Sequence, residues 1–393
     1  MDPIVSILVC LIVLYLLAEL CALISIPRVV GQIAAGMLLG LPAVRGFVFT
    51  TESISLISFL ADIGVILLLF FVGLQINFKQ FERAITPSAW ISFFNTALPL
   101  LFGFLISKYA FGLGNNISII VGVCMSVSAT AIALDLMEEF NKLRTKLGAL
   151  IVSAGTFDDL VELFLITGVL TFIESAIKQT TLLELIFGIF FFSIVVLIFR
   201  FWLIPFILRL IEHQPERAQL FTGALVITLI MAALAEHLGI GALIGALFSG
   251  VIIRQVLMKD PGHKPWERQE ITHTIHSIAF GFLVPFFFLH VGFQTDLLAI
   301  WNNIGFGLII TILAIVGTVV GSALGYYVVF HNWKEGWITG WAMNAKGDTE
   351  LVIAELALSA GVITTTVFSS LIFMAVISTL ISPLVLRHLL KKM

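Results

Sequence analysis

The chain is short of charge, of cysteine and of polar stretches long enough to build a separate domain. Charged residues make up 11% of its 393 positions, and the 21 basic and 24 acidic side chains nearly cancel. They form no long run of one sign, so nucleic-acid binding and a disordered, charge-driven role are excluded. The three cysteines, Cys10, Cys21 and Cys124, all fall inside apolar stretches. That rules out a disulfide framework and a metal cluster with ligand spacing, and leaves redox chemistry without a foothold. No basic segment or small-residue cleavage site accompanies the apolar run that starts at Pro3, so this run reads as a retained span rather than a signal peptide.

What the chain does have is hydrocarbon-compatible sequence. It is 60% hydrophobic with a mean hydropathy of +1.11, more than a water-soluble domain can hide in a core. The fold class is therefore an all-α polytopic membrane protein, and a soluble enzyme is excluded. A ruler of about 20 apolar residues per crossing gives about thirteen transmembrane helices. They fall at approximately 3–25, 29–42, 56–76, 84–107, 116–138, 146–173, 181–211, 217–236, 240–256, 276–294, 303–330, 335–357 and 363–386. The second and ninth are short and glycine-rich. The longest polar connection runs from about Lys259 to Ile275, and no soluble domain is expected.

Orientation follows from Lys and Arg in alternate loops. With the N-terminus outside and the C-terminus cytoplasmic, sixteen basic residues fall inside and only Arg45, Lys108 and Lys178 outside, Arg200 and Lys346 lying within spans. Internal similarity adds topology. Span three ends Phe71-Val72-Gly73-Leu74-Gln75-Ile76-Asn77 and span ten ends His290-Val291-Gly292-Phe293-Gln294-Thr295-Asp296, while Gly31, Gly36 and Gly40 of span two answer Gly241, Gly245 and Gly250 of span nine. This predicts six helices, a linker helix at 181–211 and six more. An odd linker inverts the second half, the arrangement in which the substrate site lies at the midplane between repeats.

Three polar centres fall at one depth. Asp158 and Asp159 occupy the middle of span six, with Glu162 one turn on. A charge at a helix centre costs about 2.5–3.5 kcal/mol on insertion scales, so a run of three points to ion or proton handling, with Glu162 alone open to a packing role. Span five carries Ser126-Val127-Ser128-Ala129-Thr130 at its midpoint. Its repeat mate, span twelve, carries Asn344-Ala345-Lys346-Gly347-Asp348-Thr349-Glu350. Both stretches predict interrupted helices, two discontinuous elements crossing at the midplane, whose freed carbonyls and half-helix ends face a central ion. For span five alone, hydroxyl back-bonding inside an unbroken helix is the competing reading.

These residues resemble the bacterial monovalent cation:proton antiporters of the sodium/proton exchanger fold, in the branch that includes the potassium-efflux antiporters. The likeness covers nearly the whole chain. Its landmarks are Pro27-Arg28-Val29-Val30-Gly31-Gln32, the stretch from Gly64 to Gly73, Ser128-Ala129-Thr130-Ala131, Asp158-Asp159, and Lys346-Gly347-Asp348-Thr349-Glu350-Leu351-Val352. The resemblance implies a mobile ion-binding core at 84–173 and 303–391, and a dimerising scaffold at 1–76 and 217–294. It departs in two places. The usual span-eleven lysine is replaced by Thr318, in Gly317-Thr318-Val319-Val320-Gly321, and Glu162 stands where a small residue is usual. No nucleotide-binding domain of the potassium-efflux kind is expected from these residues, so gating of that kind is expected to need a separate regulatory subunit.

The expected activity is exchange of sodium or potassium for protons by alternating access, without enzymatic chemistry or a cofactor, in a homodimer of the cell (inner) membrane. Two carboxylates packed in a low-dielectric site cannot both ionise cheaply, so protons and a cation alternate as the neutralising load. Asp159 is the primary cation ligand and Asp158 its partner. Thr130, Ser128 and the span-five backbone supply further oxygens, while Lys346 and Glu350 balance the broken-helix dipoles beside Asn344. With Thr318 in place of the lysine, Asp158 is expected to carry a second proton, which makes exchange electrogenic. Rival readings are a same-fold sodium-coupled symporter of an organic anion, a passive channel and an intramembrane aspartyl protease. The protease needs its aspartates on different helices, whereas Asp158 and Asp159 project about 100° apart from one. His290 reads as a satisfied interior histidine before a pH sensor. Asp135, Glu138 and Glu139 read as a solvated helix end before an access funnel, and Arg200 with Trp202 as an interfacial anchor. Glu19 and Asp62 have no role legible in sequence.

Overall fold

A computed structural model describes residues 2–24, 26–75, 85–143, 145–178, 182–204, 217–259 and 276–392. All regular secondary structure among the described residues is helical, with no strand. In chain order the helices are α1 Pro3–Leu23, α2 Arg28–Gly40, α3 Pro42–Val48, α4 Thr51–Gln75, α5 Ile85–Leu105, α6 Asn115–Ser126, α7 Ala131–Glu139, α8 Lys146–Lys178 and α9 Leu182–Ile198. There follow α10 Arg217–His237, α11 Ala242–Lys259, α12 Val284–Gln294, α13 Leu297–Asn302, α14 Ile304–Phe330, α15 Trp333–Ala342, α16 Thr349–Ser359 and α17 Thr365–Lys391. Wide π turns extend α5 through Ile106–Ala110 and α9 through Phe199–Leu203, and lead into α12 at Ala279–Leu283.

Seven described helices are long and apolar enough to cross a bilayer, or eight if the pair Arg28–Gly40 and Pro42–Val48, bent by 81°, is one span. The chain is thus a multi-pass membrane protein. The other described helices are shorter or fail that test of length and apolarity, so thirteen crossings do not follow from length and composition alone. The polar connection after Lys259, and the loop cations Lys79, Arg83, Arg144, Arg209, Lys264 and Arg268, lie outside the described residues.

The helices group into two compact units. The first comprises Met1–Ile7, Phe49–Ile76 and Thr167–His290. Within it α4 and α11 lie backbone to backbone: a Cβ on Gly73 would strike the Leu247 carbonyl, and one on Gly250 the Phe70 carbonyl. Small residues are what let helices approach this closely where no hydrophobic effect drives them together. The second unit comprises Leu8–Val48, Asn77–Ile166 and Val291–Met393. Here Gly317, Gly321 and Gly325, four residues apart on α14, meet the backbone of α5 at Pro99, Phe94 and Trp90.

The inverted repeat leaves its mark inside each unit separately. In the second unit Gly31 of α2 closes on Leu17 and Ala18, and in the first unit Gly245 of α11 closes on Met231 and Ala232. Likewise Gly292 meets the Ile33 carbonyl, as Gly73 meets that of Leu247. The packing therefore equates Gly31 with Gly245, and it moves the order-by-order pairing of Gly31 with Gly241 by four residues. The glycines of the two spans are spaced differently, and contacts define equivalence where counting does not.

Candidate ion-binding site

Both expected interruptions are present. α6 ends at Ser126 and α7 begins at Ala131, with Val127 extended between them; α15 ends at Ala342 and α16 begins at Thr349. The two irregular stretches touch. The Ala129 N–H donates to the Ala345 carbonyl at 2.7 Å, and a Cβ on Gly347 would sit 2.6 Å from that of Ala129. Thr379 of α17 donates to the Lys346 carbonyl at 2.8 Å and ties the second stretch down. Ser and Thr earn their place here because their hydroxyls satisfy backbone groups that a continuous helix would have paired internally.

α8 presents Asp158 and Asp159 to unlike surroundings. Asp158 is 1% exposed and its carboxylate accepts four hydrogen bonds. Ser92 Oγ at 2.7 Å and Thr96 Oγ1 at 3.2 Å donate to Oδ1, and Ser128 Oγ at 2.6 Å and Asn95 Nδ2 at 2.9 Å donate to Oδ2. Ser322 of α14 donates to Asn95 Oδ1 at 2.8 Å, which orients the amide so that its NH2 faces the carboxylate. Asp159 is half-buried, and its carboxylate has no hydrogen bond to a described residue. Asp158 is thus anchored by α5 and the span-five break, with α14 behind Asn95, while Asp159 keeps its oxygens available to partners beyond the described residues.

Ser128 connects this pair to the third carboxylate: its hydroxyl serves Asp158 while its backbone N–H donates to Glu162 Oε1. Thr130 is buried with its side chain against Gly155, where a Cβ would lie 2.8 Å from Thr130 Oγ1. That places Thr130 one turn before Asp158 along α8.

Lys346 is wholly buried, and its ammonium donates to the carbonyls of Met125 and Val127, both at 2.7 Å, with Thr318 Oγ1 at 3.5 Å. These are the carbonyls that the break in span five frees at the negative end of α6. In this structure these two span-five carbonyls, part of the backbone expected to offer oxygens to a cation, accept from the lysine ammonium. Thr318 accordingly faces Lys346. Glu350 lies in the first turn of α16, 2% exposed, and neither of its carboxylate oxygens is hydrogen-bonded to a described residue. Asn344 turns away to donate to Ser382 Oγ at 2.8 Å on α17.

The smaller sequence expectations resolve variously. Glu139 pairs with Arg387 at 3.0 Å, tying α7 to α17. Glu138 is exposed and the Asp135 side chain lies outside the described residues. Arg200 sits over the Phe201 ring at 5.4 Å beside the highly exposed Trp202, and Glu19 pairs with Arg28 at 3.0 Å. His290 is half-buried on α12, and Asp62 is exposed on α4. Sequence reasoning passed over Ser92, Asn95, Thr96 and Ser322. The legible signal was polar residues at i, i+3 and i+4 on the apolar α5, one helical face.

Residues 5–392 match the family model described as "Sodium/hydrogen exchanger, transmembrane". Similar proteins include a Na+/H+ antiporter of Enterococcus hirae, 28% identical over 94% of this chain and 93% of the relative. Another is the Na+/H+-K+ antiporter GerN of Bacillus cereus, 26% identical over 92% and 89%. The solved structure of the sodium proton antiporter MjNhaP1 from Methanocaldococcus jannaschii at pH 8 superposes with a TM-score of 0.67, covering 99% of this chain and 98% of that one at 15% identity. At that identity the likeness concerns the fold.

Proposed function

The chain belongs to the transmembrane sodium/hydrogen exchanger family, and from that premise we propose that it is a secondary antiporter exchanging sodium or potassium for protons at Asp159. The observation that carries this reading is the asymmetry of the adjacent aspartates. Asp158 has four donors; Asp159, the next residue, has none among the described residues and is half-buried. A cation needs oxygens that are not already spent, and Asp159 offers them beside Thr130, where the broken spans cross. Protons compete for the same oxygens, so the site carries one load or the other.

The relatives named as sodium, and in one case sodium and potassium, antiporters support this substrate class. In the same reading thirteen spans place the N-terminus outside and the C-terminus in the cytoplasm of the cell membrane. The core at 84–173 and 303–391 carries the site across by an elevator motion against the scaffold at 1–76 and 217–294, in a homodimer, with any nucleotide control residing on a separate subunit. Exchange is electrogenic, with more than one proton per cation. The test is cation-driven proton movement in everted vesicles. Asp159→Asn should insert normally and abolish it, and wild-type exchange by this variant would overturn the assignment.

A further inference from the structure

Five acidic side chains lie in or beside the crossing: Asp158, Asp159, Glu162, Asp348 and Glu350. Lys346 is the cation that the structure sets among them, within electrostatic reach of Glu350, Glu162 and Asp158. With Thr318 in place of the usual lysine, the sequence alone points to Asp158 as the carrier of a second exchangeable proton. Four neutral donors meet the carboxylate of Asp158 and leave it no oxygen without a partner. Glu162 has the Ser128 N–H. Glu350 is the remaining extreme: buried, with neither oxygen hydrogen-bonded to a described residue, and with Lys346 in electrostatic reach while its ammonium is spent on the Met125 and Val127 carbonyls. A buried carboxylate without a hydrogen-bond donor is costly to ionise unless a cation balances it.

Resting on the antiport reading above, we propose that Glu350 is a second proton-carrying site of the transport cycle, linked to the cation site through Lys346. The charged and titratable groups around it come from three elements. The Cys124 thiol lies on α6, Lys346 and Asp348 in the stretch before α16, and Glu162 on α8. With its proton on, Glu350 is neutral and the ammonium of Lys346 is free to hold the Met125 and Val127 carbonyls, as the structure shows. When Glu350 gives its proton to water on the side facing the site, the new carboxylate is balanced by Lys346. The residue following Val127 is Ser128, which holds both Asp158 and Glu162. A shift of Lys346 toward Glu350 is therefore felt where the cation binds. Loading Asp159 with a cation and unloading Glu350 become one event.

The test reads stoichiometry, which a merely structural role for Glu350 would not move. In proteoliposomes with clamped potential, two protons per monovalent cation transfer one charge per cycle, so the balancing cation gradient should move tenfold for every 59 mV or so. Glu350→Gln should keep cation-driven proton movement but lose this dependence on voltage. A Glu350→Gln protein whose reversal still follows voltage as wild type does would overturn the proposal while leaving Asp159 in place, as would a wild-type reversal that ignores voltage. Loss of the antiport reading itself shows separately, in an Asp159→Asn protein that still exchanges. Should Glu350→Gln fail to fold, the wild-type protein decides by mass spectrometry after dicyclohexylcarbodiimide, which attacks protonated carboxyls in apolar surroundings. An adduct on Glu350 that saturating sodium or potassium suppresses supports the proposal, and absence of any adduct there overturns it.

Discussion

Consecutive residues on a helix point about 100° apart, and that angle gives Asp158 and Asp159 different tasks. Asp158 turns toward α5, where Ser92, Asn95 and Thr96 share a face, and toward Ser128 at the break. Removing one of these donors exposes how the anchor is held. Asn95→Ala deletes a donor to a buried carboxylate and orphans Ser322, so it should destabilise the protein by about 1–3 kcal/mol, measured as a lower melting temperature in detergent. Thr130→Val tests the other task. It keeps the packing against Gly155 but removes one oxygen, and about 1 kcal/mol of lost coordination should raise the apparent cation Km roughly fivefold. An unchanged Km would take Thr130 out of the coordination set. At this scale the sequence was legible where a charge stood in an apolar helix, at 158, 159, 162 and 346. It was mute where the partner was a serine or asparagine, because such residues occur in membrane helices for packing and for backbone bonding alike.

At the scale of elements, two interrupted helices hold each other, and Lys346 is the strut between them. It lies in the break of one and caps the cut end of the other. Both interruptions were readable from Ser126 to Thr130 and from Asn344 to Glu350, since those polar runs stand at mid-span in otherwise apolar sequence. The direction of Lys346 was not readable. Sequence says that a cation is buried, but only the fold says whether it faces a carboxylate or a carbonyl. The glycine register was misread for a related reason, because spacing along one helix cannot show which turn of its neighbour comes closest. Lys346→Met keeps the stem and removes the ammonium, leaving the Met125 and Val127 carbonyls without their cap. At roughly 1–3 kcal/mol per orphaned group, this variant should melt earlier and exchange poorly. If Lys346→Met matches wild type in both, the strut is not needed. Gly155→Val, which drives side-chain atoms into Thr130, should raise the cation Km by displacing the break without altering any charge.

At the scale of the whole molecule the question is how acid reaches transport. Proton and cation are proposed to contend for Asp159, and linkage makes that contest reciprocal: whatever weakens the cation's hold by binding a proton is itself displaced by the cation. Lowering the pH should therefore raise the apparent cation Km, by up to about tenfold per unit for each competing proton, while the rate at saturating cation stays level. A separate sensor behaves otherwise. A proton bound away from the site changes how many molecules can turn over, lowering the maximal rate at constant Km. His290, half-buried on α12 at the end of the repeat that matches span three, is the group to which such a result would point. Rates measured over a matrix of pH and cation concentration separate the two. Lines converging at one maximal rate place proton and cation on the same oxygens, and parallel loss of rate at constant Km would move pH control out of the site and to the histidine.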